Sequence, residues 1–125
     1  MSNAPPTSAI LAALDTVFAT GAARVFPQVA PADTLPPYVV YGIVGAAPEN
    51  TLNNGVPLDN WRYQVDVYAM TYAETQSLAH AVREAMEALS LPVSAIFLSQ
   101  VDVYEDVVMW HRAICDFSIW KPRSS

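Results

Sequence analysis

The sequence predicts an α+β fold: a four-stranded antiparallel or mixed sheet with two helices packed on one face, in the order α-β-β-α-β-β. Three observations predict it. Segments 8–20 and 72–89 place apolar residues at helical spacing, as a helix facing a core does. Segments 61–70 and 108–120 alternate between apolar and polar residues, the period of a half-buried strand. The 125 residues are the length of one ordinary domain, read here as spanning 1–125 with a flexible N-terminus over 1–7.

The first helix is expected over Ser8–Thr20, with Thr7 or Ser8 as N-cap after two prolines and Gly21 as the residue that ends it. Ile10, Leu11, Leu14, Val17 and Phe18 form its apolar stripe. Pro27, Pro31, Pro36 and Pro37 make Arg24–Pro37 an extended surface connection, because proline lacks a donor and disfavours helix before it. The first strand, Tyr38–Val44, is apolar on both parities and so is covered on both faces. Gly45–Asn60 is expected to be a long loop containing a small tight turn at Asn53-Asn54-Gly55.

The second strand, Trp61–Met70, places Trp61, Tyr63, Val65, Val67 and Ala69 on one face and Arg62, Gln64, Asp66, Tyr68 and Met70 on the other. The second helix is expected over Tyr72–Leu89. Thr71 and Glu74 have capping-box spacing, and Leu78, Val82, Ala85, Met86 and Leu89 face the core. A third strand lies within Ala95–Tyr104, followed by a turn at Glu105-Asp106. The fourth, Val108–Trp120, separates His111, Ala113, Cys115, Phe117 and Ile119 from Trp110, Arg112, Ile114, Asp116, Ser118 and Trp120.

Composition narrows the function classes. Charged residues are only 14 % of the chain, against about 25 % in ordinary soluble domains, which suggests that part of the surface is covered by another chain. The net charge is −6, and the six cations are scattered (Arg24, Arg62, Arg83, Arg112, Lys121, Arg123). Direct specific nucleic-acid binding, which needs a basic stripe, is not expected. Cys115 is the single cysteine, which fits a reducing compartment. The N-terminus lacks the basic segment of a signal peptide, and no apolar run is long enough for a span of about 20 residues. A cytoplasmic protein without membrane contact is expected.

The residues do not assemble a reactive centre. His111 and Cys115 share a strand face, but four residues of strand separate them by about 13 Å, too far for one zinc ion. No phosphate loop, dinucleotide fingerprint or nucleophile elbow is present. No cofactor, metal or catalytic residue is expected. Asp66 and Asp116 are mid-strand carboxylates, yet each has an arginine on its own face, Arg62 and Arg112 respectively. Ion pairs across strands account for them more simply than acid–base chemistry. The outer sheet face would present Arg62, Gln64, Asp66, Tyr68, Trp110, Arg112, Ile114, Asp116 and Trp120. Aromatics with arginines are what interface centres enrich. The alternatives are that the chain's own prolines and loops cover this face, or that it forms an aromatic small-molecule cleft.

Trp61-Arg62-Tyr63-Gln64-Val65-Asp66-Val67-Tyr68-Ala69, then Thr71-Tyr72 and Leu78-Ala79-x-Ala81-Val82-Arg83, resembles the tail-completion proteins of long-tailed phages and prophages. These are also called tail terminators or head–tail joining proteins. Arg24-Val25-Phe26-Pro27, Pro37-Tyr38-Val39-Val40-Tyr41 and Asp116-Phe117-Ser118-Ile119-Trp120 extend the resemblance over Leu11–Trp120. It implies a virion structural subunit that caps the tail tube, forms a homo-oligomeric ring (typically a hexamer) and docks to the head connector. It implies no enzymatic activity. It also implies that the long segment holding Asn53, Asn54 and Gly55 contacts neighbouring subunits or tube rings. The alternatives are another minor head–tail or tail-tube protein of similar fold and, less favoured, a small α+β ligand-binding module.

Overall fold

Alternation along the strands decides which residues are buried, and the core follows from it. In the computed structural model, which describes residues 4–18, 24–53, 56–90 and 93–122, the elements are α1 (Thr7–Asp15), β1 (Val25–Pro27), β2 (Tyr38–Asn53), β3 (Val56–Ala69), α2 (Tyr72–Glu87), β4 (Ser94–Glu105) and β5 (Trp110–Pro122). They form one five-stranded mixed sheet in the order β1-β2-β3-β5-β4. β1 runs parallel to β2, and every other pair is antiparallel.

The alternation expected in the second and fourth strands is observed. Trp61, Tyr63, Val65, Val67, Ala113, Cys115, Phe117 and Ile119 are buried on the sheet face that meets both helices. Ile10 and Leu14 of α1 and Ala79, Val82 and Met86 of α2 close this core, with Leu11, Val17, Phe18, Leu78 and Leu89 packed at its margin. The Phe97 and Phe117 rings meet edge-on at 5.6 Å, the arrangement their quadrupoles favour.

Five differences from the sequence expectation have local causes. First, the sheet has a fifth strand. Val25–Pro27 lies in the segment expected to be a surface connection, and it is too short to show a period. Its proline ends an edge strand, where the missing donor is harmless. Second, Gly45–Asn60 is not a loop. β2 continues to Asn53 and β3 begins at Val56, so the segment is a hairpin arm paired down to Asn53↔Val56, with bulges at Ile43/Gly45 and Glu49/Leu52. Pro48, Glu49, Asn50 and Pro57 are poor strand formers, and they hid the pairing from a reading of side-chain pattern. The predicted turn residues Asn54 and Gly55 lie outside the described residues.

Third, α1 is shorter than expected. After Asp15 the chain continues by i→i−3 bonds to Phe18, and Thr16 Oγ1 donates back to the Ala13 carbonyl at 2.6 Å, which competes with helix geometry. Gly21 lies outside the described residues. Fourth, neither Thr7 nor Ser8 caps α1; the helix starts at Thr7 itself. The Thr7 hydroxyl is 3.1 Å from the buried Tyr63 hydroxyl, which needs a partner there. Fifth, the β4–β5 turn covers 106–109, with Met109 left-handed at φ 58°.

The cap of α2 forms where expected, Glu74 N donating to Thr71 Oγ1 at 3.1 Å. Thr75 and Ala79 join its buried stripe, and the expected Ala85 is only half-buried. No described helix is long and apolar enough to cross a membrane.

Candidate functional site

The sheet face turned away from the helices carries the predicted site residues in cross-strand rows. Tyr38 pairs with Tyr68, and Tyr68 with Arg112. In the next rows Asp66 pairs with Ile114, Gln64 with Asp116, Arg62 with Ser118 and Asn60 with Trp120. Nine of the predicted positions thus share this face: Arg62, Gln64, Asp66, Tyr68, Trp110, Arg112, Ile114, Asp116 and Trp120. Of the three arm positions, Asn53 closes the described pairing, at the far end from Trp110, and Asn54 and Gly55 are outside the described residues.

The centre of the face is a polar knot. The Asp66 side chain is 8 % exposed and lies 2.6 Å from Arg112 Nη2. Gln64 Nε2 donates to both Asp66 oxygens, at 3.0 and 3.2 Å. Arg112 Nη1 also reaches Glu105 at 3.3 Å. Burial works against the Arg112 charge, but the hydrogen bond and charge of Asp66 outweigh it, so the guanidinium is held above its ordinary range.

This corrects the expected pairing. Arg112 takes Asp66, diagonally across β3 and β5, and not Asp116. Positions i and i+4 of one strand are about 13 Å apart, whereas diagonal neighbours on paired strands lie within about 8 Å. Asp116 instead accepts from Ser99 Oγ at 3.4 Å, and its Oδ1 is buried without a hydrogen-bond partner. Arg62 is exposed on the same face.

Beside the knot sits an aromatic cluster. Tyr38 and Tyr68 stack at 4.7 Å, and Trp110 meets Tyr38 edge-on at 6.2 Å. The Arg112 guanidinium lies 5.5 Å from the Tyr68 ring centroid. Burial raises the Tyr38 and Tyr68 hydroxyl pKa values, with Arg112 opposing in both. Segment 28–35 walls this end of the face. It leaves an open cleft of about 560 Å³ whose floor includes Tyr38, Asp66, Tyr68, Trp110 and Arg112. Tyr38 is buried and the other aromatics are half-buried, so the chain's own proline-rich segment covers one end of the face. Tyr38 and Glu105 were not singled out from sequence. The parity of Tyr38 with Val40 and Gly42 was the available signal, since it places Tyr38 opposite Tyr68 once β2 and β3 pair.

The inner face holds the remaining candidates for chemistry. Burial pushes the Cys115 thiol up to about 12, which keeps it protonated and inert. His111 packs between the Tyr72 and Tyr104 rings, at 6.0 and 4.9 Å. Among the described residues no group of three or more His, Cys, Asp or Glu side chains could hold a metal ion.

Fold and face together define a small α+β chain with a long β2–β3 hairpin and a mixed aromatic–ionic sheet face. The model of the family described as tail completion protein gp17 matches residues 8–121, and the chain belongs to that family, whose members are phage tail structural proteins. A solved chain from the structure titled "Virion of native gene transfer agent (GTA) particle" has the same fold, with a TM-score of 0.61 at 18 % identity. The match covers 97 % of this chain and 100 % of that one. No curated protein matches this chain.

Proposed function

We propose that this chain caps the tail tube of a phage or prophage particle and joins it to the head connector through protein–protein contacts. It acts as one subunit of a ring of its own copies, six in the assembled tail, and catalyses no reaction. It assembles in the bacterial cytoplasm and ends in the virion tail. The observation that carries this reading is family membership across nearly the whole chain. The virion origin of the solved chain with the same fold supports a place in a particle.

The contact surface in this reading is the outer sheet face, from Arg62 and Trp120 to Tyr68, Trp110 and Arg112. The arm carrying Asn53, Asn54 and Gly55 extends it toward neighbouring subunits or tube rings. A half-buried aromatic cluster beside an arginine–carboxylate ion pair is the composition of an interface centre. The low charge density of the chain fits a surface covered in the assembly.

Electron microscopy of particles lacking this protein tests the proposal. Ragged or overlong tails that fail to join heads are expected; normal, joined tails would refute it. The cleft of about 560 Å³ falls within the size range of ligand pockets and favours a second reading, a small ligand-binding module. A chain that stays monomeric and leaves tail tubes untouched would support that one.

A further inference from the structure

The sheet has two unpaired edges, and they match. Among the described residues β4 ends the strand order and pairs on one side only, with β5. On the opposite side β1 covers β2 only at Val39–Tyr41, and from Gly42 onward β2 pairs with β3 alone among the described residues. Unpaired N–H and C=O groups along a strand are a template for another strand, and proteins guard such edges with proline, lysine or very short strands. β1 is guarded: it has three residues and ends on Pro27. β4 has twelve residues and contains neither proline nor lysine; its one bulge lies at Phe97/Ser99 and its charged residues, Asp102 and Glu105, lie beyond it, away from Ser94–Phe97. Both open edges are also apolar. Ile96, Leu98 and Val101 of β4, and Ile43 and Val44 of β2, are between 41 and 55 % exposed.

Register places the two apolar margins at one height. Ile43 pairs with Tyr63, Tyr63 with Phe117, and Phe117 with Phe97. Ile43–Val44 and Ile96–Leu98 therefore lie in the same rows on opposite sides of the sheet. Strand direction agrees as well. β2 and β5 run one way, β3 and β4 the other. A copy placed alongside by rotation, with strand directions kept, brings β4 of one copy against β2 of the next in the antiparallel sense. One edge meeting a different edge is a heterologous contact, which closes into a ring when the rotation closes.

We infer that the open edge of β4 receives a second copy of this chain. Ser94–Leu98 pairs antiparallel with Gly42–Ala46 of the next copy, and the apolar side chains of the two margins meet across the seam. This rests on the ring reading above and specifies its subunit contact.

Hydrogen exchange of the wild-type chain, free and assembled on itself or on tail-tube ends, tests it. Amides within 42–46 and 94–98 should exchange at least about tenfold more slowly in the assembled chain. Assembly with no slowing there would overturn the seam and leave the ring standing. Failure to assemble in either setting would overturn both. Ile96→Lys and Val44→Glu alter half-exposed side chains and should leave the fold intact, as circular dichroism can check. Each alone should reduce assembly, and the two combined in one chain should restore it; single variants that assemble like wild type would also overturn the seam.

Discussion

Asp66 shows how one residue can be legible in identity and illegible in role. Its parity put it on the outer face from sequence, and it is there. Its partner depended on register, which the alternation of one strand does not contain. With a carboxylate this buried, Arg112→Met should remove about 2–3 kcal/mol of stability, read by urea unfolding, because Asp66 then keeps Gln64 alone as a side-chain donor among the described residues. Asp66→Asn combined with Arg112→Met should cost less than the two single changes summed. A loss below about 0.5 kcal/mol for Arg112→Met would mark the pair as screened by solvent. Cys115 gives a second residue-scale prediction. Its thiol ordinarily titrates near 9.0 and is pushed up to about 12 by burial, so above pH 9 the unfolded chain gives up a proton that the folded chain keeps. Burial shifts the hydroxyls of Tyr38, Tyr63 and Tyr68 in the same direction. Stability should be fully present below pH 9 and fall as pH rises from 9 toward 12, and a thiol reagent at pH 8 should react only after unfolding. Rapid reaction of the folded protein would contradict the burial of Cys115.

At the scale of elements, the sequence spoke clearly wherever a core enforces a period and weakly where the residues show none. α2 and the paired halves of β3 and β5 were legible because a core enforces their periods. The arm was not, because nothing in its pattern separates a paired hairpin from a loop. β1 was not, because three residues cannot display alternation. The α2 cap was legible because it is a local bond between positions three apart. Thr71→Ala removes the acceptor for Glu74 N and should lower stability by about 1 kcal/mol, whereas Thr71→Ser should restore most of it. Thermal unfolding of the two variants separates the cap from the bulk of the side chain, since an equal loss for both would show that the hydroxyl bond is not what matters.

At the scale of the whole molecule, one sheet divides the chain into two different surfaces. The inner face is spent on folding, with Val65, Cys115 and Phe117 buried under the helices. The outer face is only partly covered by segment 28–35, and it keeps its arginines, half-buried aromatics and apolar margins. Family membership says what kind of particle such a chain belongs to; in the function proposed above, the outer face is the surface that meets its neighbours there. The direct measurement is native mass spectrometry of the purified chain, alone and mixed with tail tubes, followed by the same measurement on Trp120→Glu and Tyr68→Glu. A closed multimer or a fixed number of copies per tube end is expected, lost on charging the outer face. A wild-type chain that remains monomeric at every concentration and does not bind tubes would contradict it.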